Sequence, residues 1–317
     1  MKRYIQCSGA LLLLFAGNIT FSQPMQRGPY TVHTLADHVY RIEDANESNP
    51  PGAVTGDDGQ VVSMNNCSDM YLITGGNKGL LIDLSNNVKW DASATESLRS
   101  LVYGLLGDRE LVITVTHNHG DHLGMLPAFA DDSRATFWIP GQEFADSDLF
   151  PAQRTTWFPA GASLDLGRDV IVNTLEVPGH TLHSTIFFLK GRNLVFTGDA
   201  IGSGSGVWLF NEESFYTYIK SIDLLIGYLE NPANHVDPAK LRIFGGHFWQ
   251  GKDPEGLPAQ YIYDMRTLIG EMKKGTARME DMSTFITFLD TNFSYGTATI
   301  TWNRQAAFRF AGSGSGE

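Results

Sequence analysis

The sequence predicts a single α/β domain. Short apolar runs rich in β-branched residues alternate with stretches whose apolar residues recur at helical spacing. No internal repeat or heptad pattern interrupts that alternation, and no second composition regime divides the chain. A chain of 317 residues that is 42% hydrophobic can bury one large core, which excludes a disordered or fibrous protein.

The first 22 residues read as an address rather than as structure. Lys2 and Arg3 precede an apolar core from Ala10 to Ala16, and Thr20 and Ser22 supply the small residues before a cut at Gln23, as a secretory signal peptide requires. The mature protein is therefore expected in the periplasm or outside the cell. Cys7 leaves with the signal, so Cys67 becomes the sole thiol and no intrachain disulfide can form. The domain is expected to span residues 23–310, with 311–317 (AGSGSGE) a frayed tail or expression scar. After the signal, no apolar run approaches the ~18 residues of a membrane span.

Each later element has its own signal. His38 to Ile42 is a strand candidate, followed by turn-rich sequence from Asp44 to Gly59. Met70 to Thr74 and Gly79 to Leu84, joined through GGNK, continue it as a hairpin meander. Asp91 to Leu106 places Leu98, Leu101, Val102 and Leu105 on one helical face, with Ser93 and Glu96 in capping-box register. Leu111 to Val115 (LVITV) is a continuous run of the kind buried on both faces of a sheet. Further strands are predicted at Thr136 to Ile139, Val170 to Val177, Thr185 to Leu189, Leu194 to Thr197 and Leu241 to Phe244. A helix is predicted through Phe215, Tyr218, Ile222, Leu225 and Leu229, another over Gln260 to Lys273, and a closing strand over Ser294 to Trp302. The long segment Gly141 to Gly161 is expected to be either a wall or lid over a site or ordinary surface packing.

With 23 Lys and Arg against 35 Asp and Glu, the formal charge is −12. Such a field repels phosphate backbones, and no local basic patch offsets it, so nucleic acid is not an expected partner. A small-molecule substrate is expected instead, and the sequence is silent on oligomeric state.

The chemistry concentrates where strands end. THNHGDH follows the LVITV run and offers His117, His119, Asp121 and His122 as metal ligands. LEVPGH ends another strand at His180, LVFTGDA ends the next at Asp199, and RIFGGH delivers His247. Five of the nine histidines thus fall in three strand-end motifs, which a scatter of core or surface histidines does not explain. Loops gathered at one edge of an α/β sheet form sites in this way.

This ordered series, THNHGDH, PGH, TGD and GGH with strands between, resembles the metallo-β-lactamase superfamily from about Thr31 to at least His247. The resemblance implies the superfamily's αββα sandwich and two metal ions. One would be held by His117, His119 and His180, the other by Asp121, His122 and His247, with Asp199 bridging both. Zinc is the expected ion, and iron or manganese would tolerate the same ligands. A bridging hydroxide would attack a carbonyl or phosphoryl centre, with Asp121 orienting it as the catalytic residue.

In the antibiotic-degrading branches the position of Asp199 is usually cysteine or serine, whereas aspartate resembles the lactonases, the glyoxalase II thioesterases and the phosphodiesterases. Trp208 and Phe210 follow that aspartate and Phe248 and Trp249 follow His247, giving an apolar rim suited to an ester, lactone or amide with a hydrophobic body. Asp83 is a candidate to orient a ligand imidazole, with turn capping as the alternative, and His183 either contacts substrate or packs after a turn. The leading expectation is an exported binuclear hydrolase. The alternatives are a metallo-β-lactamase proper, a mononuclear iron persulfide dioxygenase, and a binding protein that keeps its metals for structure.

Overall fold

The computed structural model describes residues 24–44, 52–55, 59, 61–64, 67–145, 147–251, 253–282, 284 and 286–312. The predicted signal peptide lies outside the described residues, as does the end of the tail from 313.

Strands β1 (Met25–Arg27), β2 (Tyr30–Ala36) and β3 (Val39–Asp44) open the fold as an antiparallel meander. A two-stranded ribbon, β4 (Gly52–Thr55) with β5 (Val61–Met64), begins within the turn-rich stretch and ends beyond it. The meander resumes with β6 (Met70–Thr74) and β7 (Lys78–Ile82), then helix α1 (Ala94–Leu106) crosses to β8 (Glu110–Thr114), which is parallel to β7. A short helix α2 (Pro127–Ala130) leads to β9 (Ala135–Pro140), and β10 (Thr155–Phe158) completes an eight-stranded sheet in the order β1-β2-β3-β6-β7-β8-β9-β10.

The second half begins with β11 (Ser163–Asp165), β12 (Ile171–Glu176), β13 (Thr185–Leu189) and β14 (Leu194–Gly198), which pair antiparallel in sequence order. After β15 (Val207–Trp208) and helix α3 (Glu212–Glu230), β16 (Arg242–Gly245) returns parallel to β14. The one-turn helix α4 (Phe248–Gly251) precedes β17 (Leu257–Pro258), the far edge of a six-stranded sheet. Helix α5 (Gln260–Lys274) is followed by β18 (Arg278–Asp281), β19 (Thr291–Tyr295) and β20 (Ala298–Trp302), which form a smaller sheet with β15, and by helix α6 (Arg304–Gly312).

Period-two alternation sorts the strands into layers. Along β6, Met70 and Leu72 face the core under α1 and α2, while Tyr71 and Ile73 face the opposing sheet. Along β8, Leu111 and Ile113 take the helix side and Val112 the inter-sheet side, as a strand covered on both faces should. Val39, Leu80, Phe187, Phe196 and Phe244 fill the space between the sheets. The outer face of the second sheet, with Ile186, Phe188 and Ile243, is covered by Tyr218 and Ile222 of α3 and by Met265 and Leu268 of α5. The order helix, sheet, sheet, helix is the αββα sandwich expected. Each fully buried side chain of this size contributes about 1.5–3 kcal/mol before entropy is counted.

The structure departs from the sequence reading at element ends. Helix α1 starts at Ala94 rather than Asp91, and no capping box forms: Ser93 has helical backbone angles and its hydroxyl donates to Asp91 Oδ1 at 2.7 Å instead of reaching forward. Helix α3 does have a side-chain cap, Asn211 Oδ1 accepting from Ser214 N–H at 2.8 Å. The expected closing strand is a hairpin, β19–β20, and α6 runs two residues into the expected tail. Of the segment Gly141 to Gly161, the described residues form core packing and an edge strand. Phe144 and Phe150 enter the helix-side core, Phe158 enters the inter-sheet core, and none of its described residues lines the cavity discussed below.

Candidate metal centre

The ligand-type residues follow strand ends at one edge of the sandwich. His117 stands three residues after β8, His180 four after β12, Asp199 one after β14, and His247 two after β16. The first strand belongs to one sheet and the other three to its partner, so the site straddles both. Close approach requires glycine at two positions. Gly198 has φ +48°, and a Cβ there would meet Thr116 Oγ1 at 2.2 Å; a Cβ on Gly246 would meet Asp199 Oδ1 at 2.5 Å and His122 at 2.6 Å.

Three overlapping trios emerge: His117, His119 and His180; His117, His122 and Asp199; Asp121, His122 and His247. Within each, one ligand atom per residue lies within 4.8 Å of the others. Asp199 sits between the outer trios. Its Oδ2 is 3.1 Å from His247 Nε2 and 3.6 Å from His180 Nε2, and its Oδ1 is 3.6 Å from His122 Nε2. Asp121 Oδ2 lies 3.6 Å from His247 Nε2 and accepts from Ser68 Oγ at 3.4 Å. The seven residues singled out in the sequence are thus brought together.

The far nitrogen of four imidazoles is fixed by a partner. His180 Nδ1 donates to Trp208 O at 3.0 Å and His247 Nδ1 to Cys67 O at 2.7 Å. A carbonyl can only accept, so both Nδ1 atoms carry hydrogen and both Nε2 atoms turn to the site. Asp83 does the same for His122, its Oδ2 lying 3.0 Å from His122 Nδ1. That carboxylate also accepts from Thr116 N–H at 2.7 Å and Thr116 Oγ1 at 2.9 Å. Because the hydroxyl proton of Thr116 is committed to Asp83, His117 Nδ1, 2.9 Å from Thr116 Oγ1, must be the donor to it. Asp83 therefore sets two imidazoles, one directly and one through Thr116.

What remains is a set of buried atoms facing one another. His117 Nε2, His122 Nε2 and Asp199 Oδ1 are buried and have no hydrogen-bond partner. Such atoms are costly unless something satisfies them. His180 Nε2 and His119 Nδ1 are 3.0 Å apart, close to the ~3.3 Å that two tetrahedral Zn–N bonds subtend. Burial drives His117 well below the ordinary imidazole range, lowers His119, and brings His180 down to about 4. In His122 and His247 burial also acts downward but is outweighed by Asp199 and Asp121, and His247 rises to about 9. Burial would raise Asp199, yet His247 and His122 hold it well below the carboxylate range. Three neutral imidazoles and two that attract positive charge, around paired carboxylates, fit a pair of cations.

The centre opens on a cavity of about 320 Å³ lined by His119, Asp121, His180, Asp199 and His247, with Trp208, Phe210, Trp249, Gln250 and Ile286. The Phe210 ring is 5.5 Å from the His119 ring and 5.2 Å from that of His180. One residue expected at the rim is elsewhere, and His183, for which substrate contact is one of two alternatives, stands outside the lining. Phe248 turns away, its ring 3.4 Å beneath the Arg41 guanidinium, because successive residues on a helical turn point about 100° apart and, of the two aromatics, Trp249 is the one that faces the cavity. His183 Nδ1 is 3.9 Å from Glu176 Oε2 on the neighbouring strand. Glu143 was not foreseen. It is buried and accepts from Asn118 N–H at 3.0 Å and His183 N–H at 2.9 Å, tying the THNHGDH loop to the PGHTLH loop.

A solved metallo-beta-lactamase from Pontibacter korlensis superposes with a TM-score of 0.53 at 17% identity, over 75% of this chain and 98% of that one. Another, from Erythrobacter litoralis, gives 0.49 at 17% identity over 71% and 92%. At that identity the Pontibacter structure speaks for the fold alone. No curated protein sequence matches significantly. The sequence profile of the Metallo-beta-lactamase superfamily matches residues 68–232, more than half of the chain and all of the centre except His247. With that match, the αββα layers and the converging histidines and aspartates, the chain belongs to the metallo-beta-lactamase superfamily.

Proposed function

We propose that this chain is an exported binuclear-metal hydrolase of a small ester, lactone or amide with a hydrophobic body. The observation that carries it is the set of buried ligand atoms without a hydrogen-bond partner among the described residues, His117 Nε2, His122 Nε2 and Asp199 Oδ1, of which Asp199 lines a largely apolar cavity and the two histidines lie behind that lining. His117, His119 and His180 would hold one ion, and Asp121, His122 and His247 the other, with Asp199 shared. Bound there, two zinc ions, or iron or manganese, supply Lewis acidity and make water nucleophilic near neutral pH.

The protein's part is positioning and proton handling. Asp121, steadied by Ser68 and lining the cavity, is the carboxylate placed to orient an attacking water and accept its proton. Trp208, Phe210 and Trp249 hold an apolar substrate body against the ligands and exclude water around the reacting bond. Export rests on the signal-type sequence of residues 1–22.

The test is elemental analysis of purified protein together with a hydrolase screen before and after chelation. Two zinc per chain and chelator-sensitive turnover of esters or lactones are expected. Rapid cephalosporin turnover without ester or lactone turnover would replace this reading with a β-lactamase. One iron per chain with oxygen consumption would replace it with a dioxygenase.

A further inference from the structure

We propose that Gln250 is a specificity-determining residue and that the cavity selects uncharged substrates over carboxylated ones. This deepens the hydrolase reading by naming a substrate class for the same cavity. Apart from the imidazoles and carboxylates of the centre, the lining consists of Trp208, Phe210, Trp249, Ile286, glycine and Gln250. Among the described residues no lysine or arginine reaches it. Arg41, a buried cation close to this end of the fold, lies over the Phe248 ring beside Glu43 and Asp69, outside the lining.

A substrate carboxylate held away from the metals would therefore be desolvated against aromatic rings with no countercharge, in a chain of net charge −12. Gln250 is the sole carboxamide in the described lining, and the one uncharged side chain there that both donates and accepts; of the indole donors, Trp249 Nε1 is committed to Cys67 O at 3.1 Å. Its carboxamide makes no hydrogen bond within the described residues, while its backbone N–H donates to His247 O at 3.0 Å. One turn of helix thus presents Trp249 and Gln250 together, an apolar face beside a neutral donor and acceptor. That pairing suits an ester, amide or lactone whose second polar group is a hydroxyl or carbonyl. It disfavours an anion held away from the metals because no cation among the described lining residues neutralises it.

The experiment uses the zinc-loaded full-length mature chain and two anilides of the same acyl framework, butyranilide and succinanilic acid, in which a carboxylate replaces the terminal methyl. Calorimetry gives the ratio of their dissociation constants in the wild type, Gln250→Lys and Gln250→Glu. Butyranilide should bind at least tenfold more tightly in the wild type. Gln250→Lys should move the ratio at least tenfold towards the acid, and Gln250→Glu should move it away. Direct binding of the carboxylate to zinc is common to all three proteins and cancels only in the comparison between them; in the wild-type ratio it counts against the inference, which holds that the cavity as a whole disfavours the acid. Equal or tighter binding of the acid by the wild type, or ratios within twofold across the three proteins, would overturn the inference. Lys252 lies outside the described residues, and a preference for the acid that disappears in Lys252→Ala would overturn it by supplying the missing cation. Turnover of 4-nitrophenyl butyrate is measured in parallel. If the ratio shifts as expected but no ester is cleaved, the hydrolase reading fails while the selectivity stands.

Discussion

Replacing Asp83 by asparagine changes one atom and should loosen the metal centre from behind. Asp83 is buried and receives three hydrogen bonds, from Thr116 N–H at 2.7 Å, Thr116 Oγ1 at 2.9 Å and His122 Nδ1 at 3.0 Å. A carboxylate accepts all three. A carboxamide offers one oxygen and one NH₂, so with the oxygen kept on Thr116 N–H the NH₂ confronts His122 Nδ1. His122 must then move its proton to Nε2, where it points at the proposed ion, and Thr116 no longer forces the tautomer of His117. Partners of this kind are worth about 10–100-fold in metal affinity, or roughly 1.4–2.7 kcal/mol. Zinc titration against a chromophoric chelator should show at least one of the two equivalents weakened by that factor in Asp83→Asn. Circular dichroism should show the fold retained. Two dissociation constants within threefold of the wild type would refute the role assigned to Asp83.

Three further outcomes are expected. Gly246→Ala places a Cβ 2.5 Å from Asp199 Oδ1, on backbone pinned by Gly246 N–H to Gly198 O at 2.9 Å and by Asp69 N–H to Gly246 O at 2.7 Å; stability should fall by about 1–3 kcal/mol and zinc per chain should drop, which denaturant titration and elemental analysis will report. Glu143→Gln sets an NH₂ against Asn118 N–H or His183 N–H, costing about 1–3 kcal/mol, so the melting temperature should fall by several degrees and zinc should bind more weakly. The metal-free folded chain holds His247 at about 9, above the free imidazole value of 6.5, so the stability that group contributes is full below pH 6.5 and is lost as the pH rises through about 9. Zinc binding at pH 7.5 should accordingly release protons, fewer as the pH approaches 10, and calorimetry in buffers of different ionisation enthalpy showing no release at pH 7.5 would contradict it.

The centre was legible because its ligands are local in sequence terms. Each follows a strand whose apolar run is visible, and each strand ends at the same edge of the sandwich, so reading strand ends amounts to reading the site. Asp83 was found by the same rule at the end of β7. Glu143 was not, since it follows β9 by three residues and acts on backbone N–H groups of two other loops, a relation with no spacing to detect. Phe248 and Trp249 could not be separated in the sequence, because which of two neighbours faces the cavity depends on Arg41, 207 positions before Phe248, receiving the other. The capping box at Ser93 failed for a local reason, a competing hydrogen bond to Asp91. Strands β2 and β19 are only partly apolar on their own, and they become strands through the partners they pair with.

The central claim, two neighbouring cations sharing Asp199, is tested most directly by crystals grown with zinc and measured across its absorption edge. Two anomalous peaks about 3.5–4 Å apart are expected, one among His117, His119 and His180 and one among Asp121, His122 and His247, with Asp199 touching both. A single peak, or zinc bound elsewhere while these residues keep their present contacts, would contradict the account.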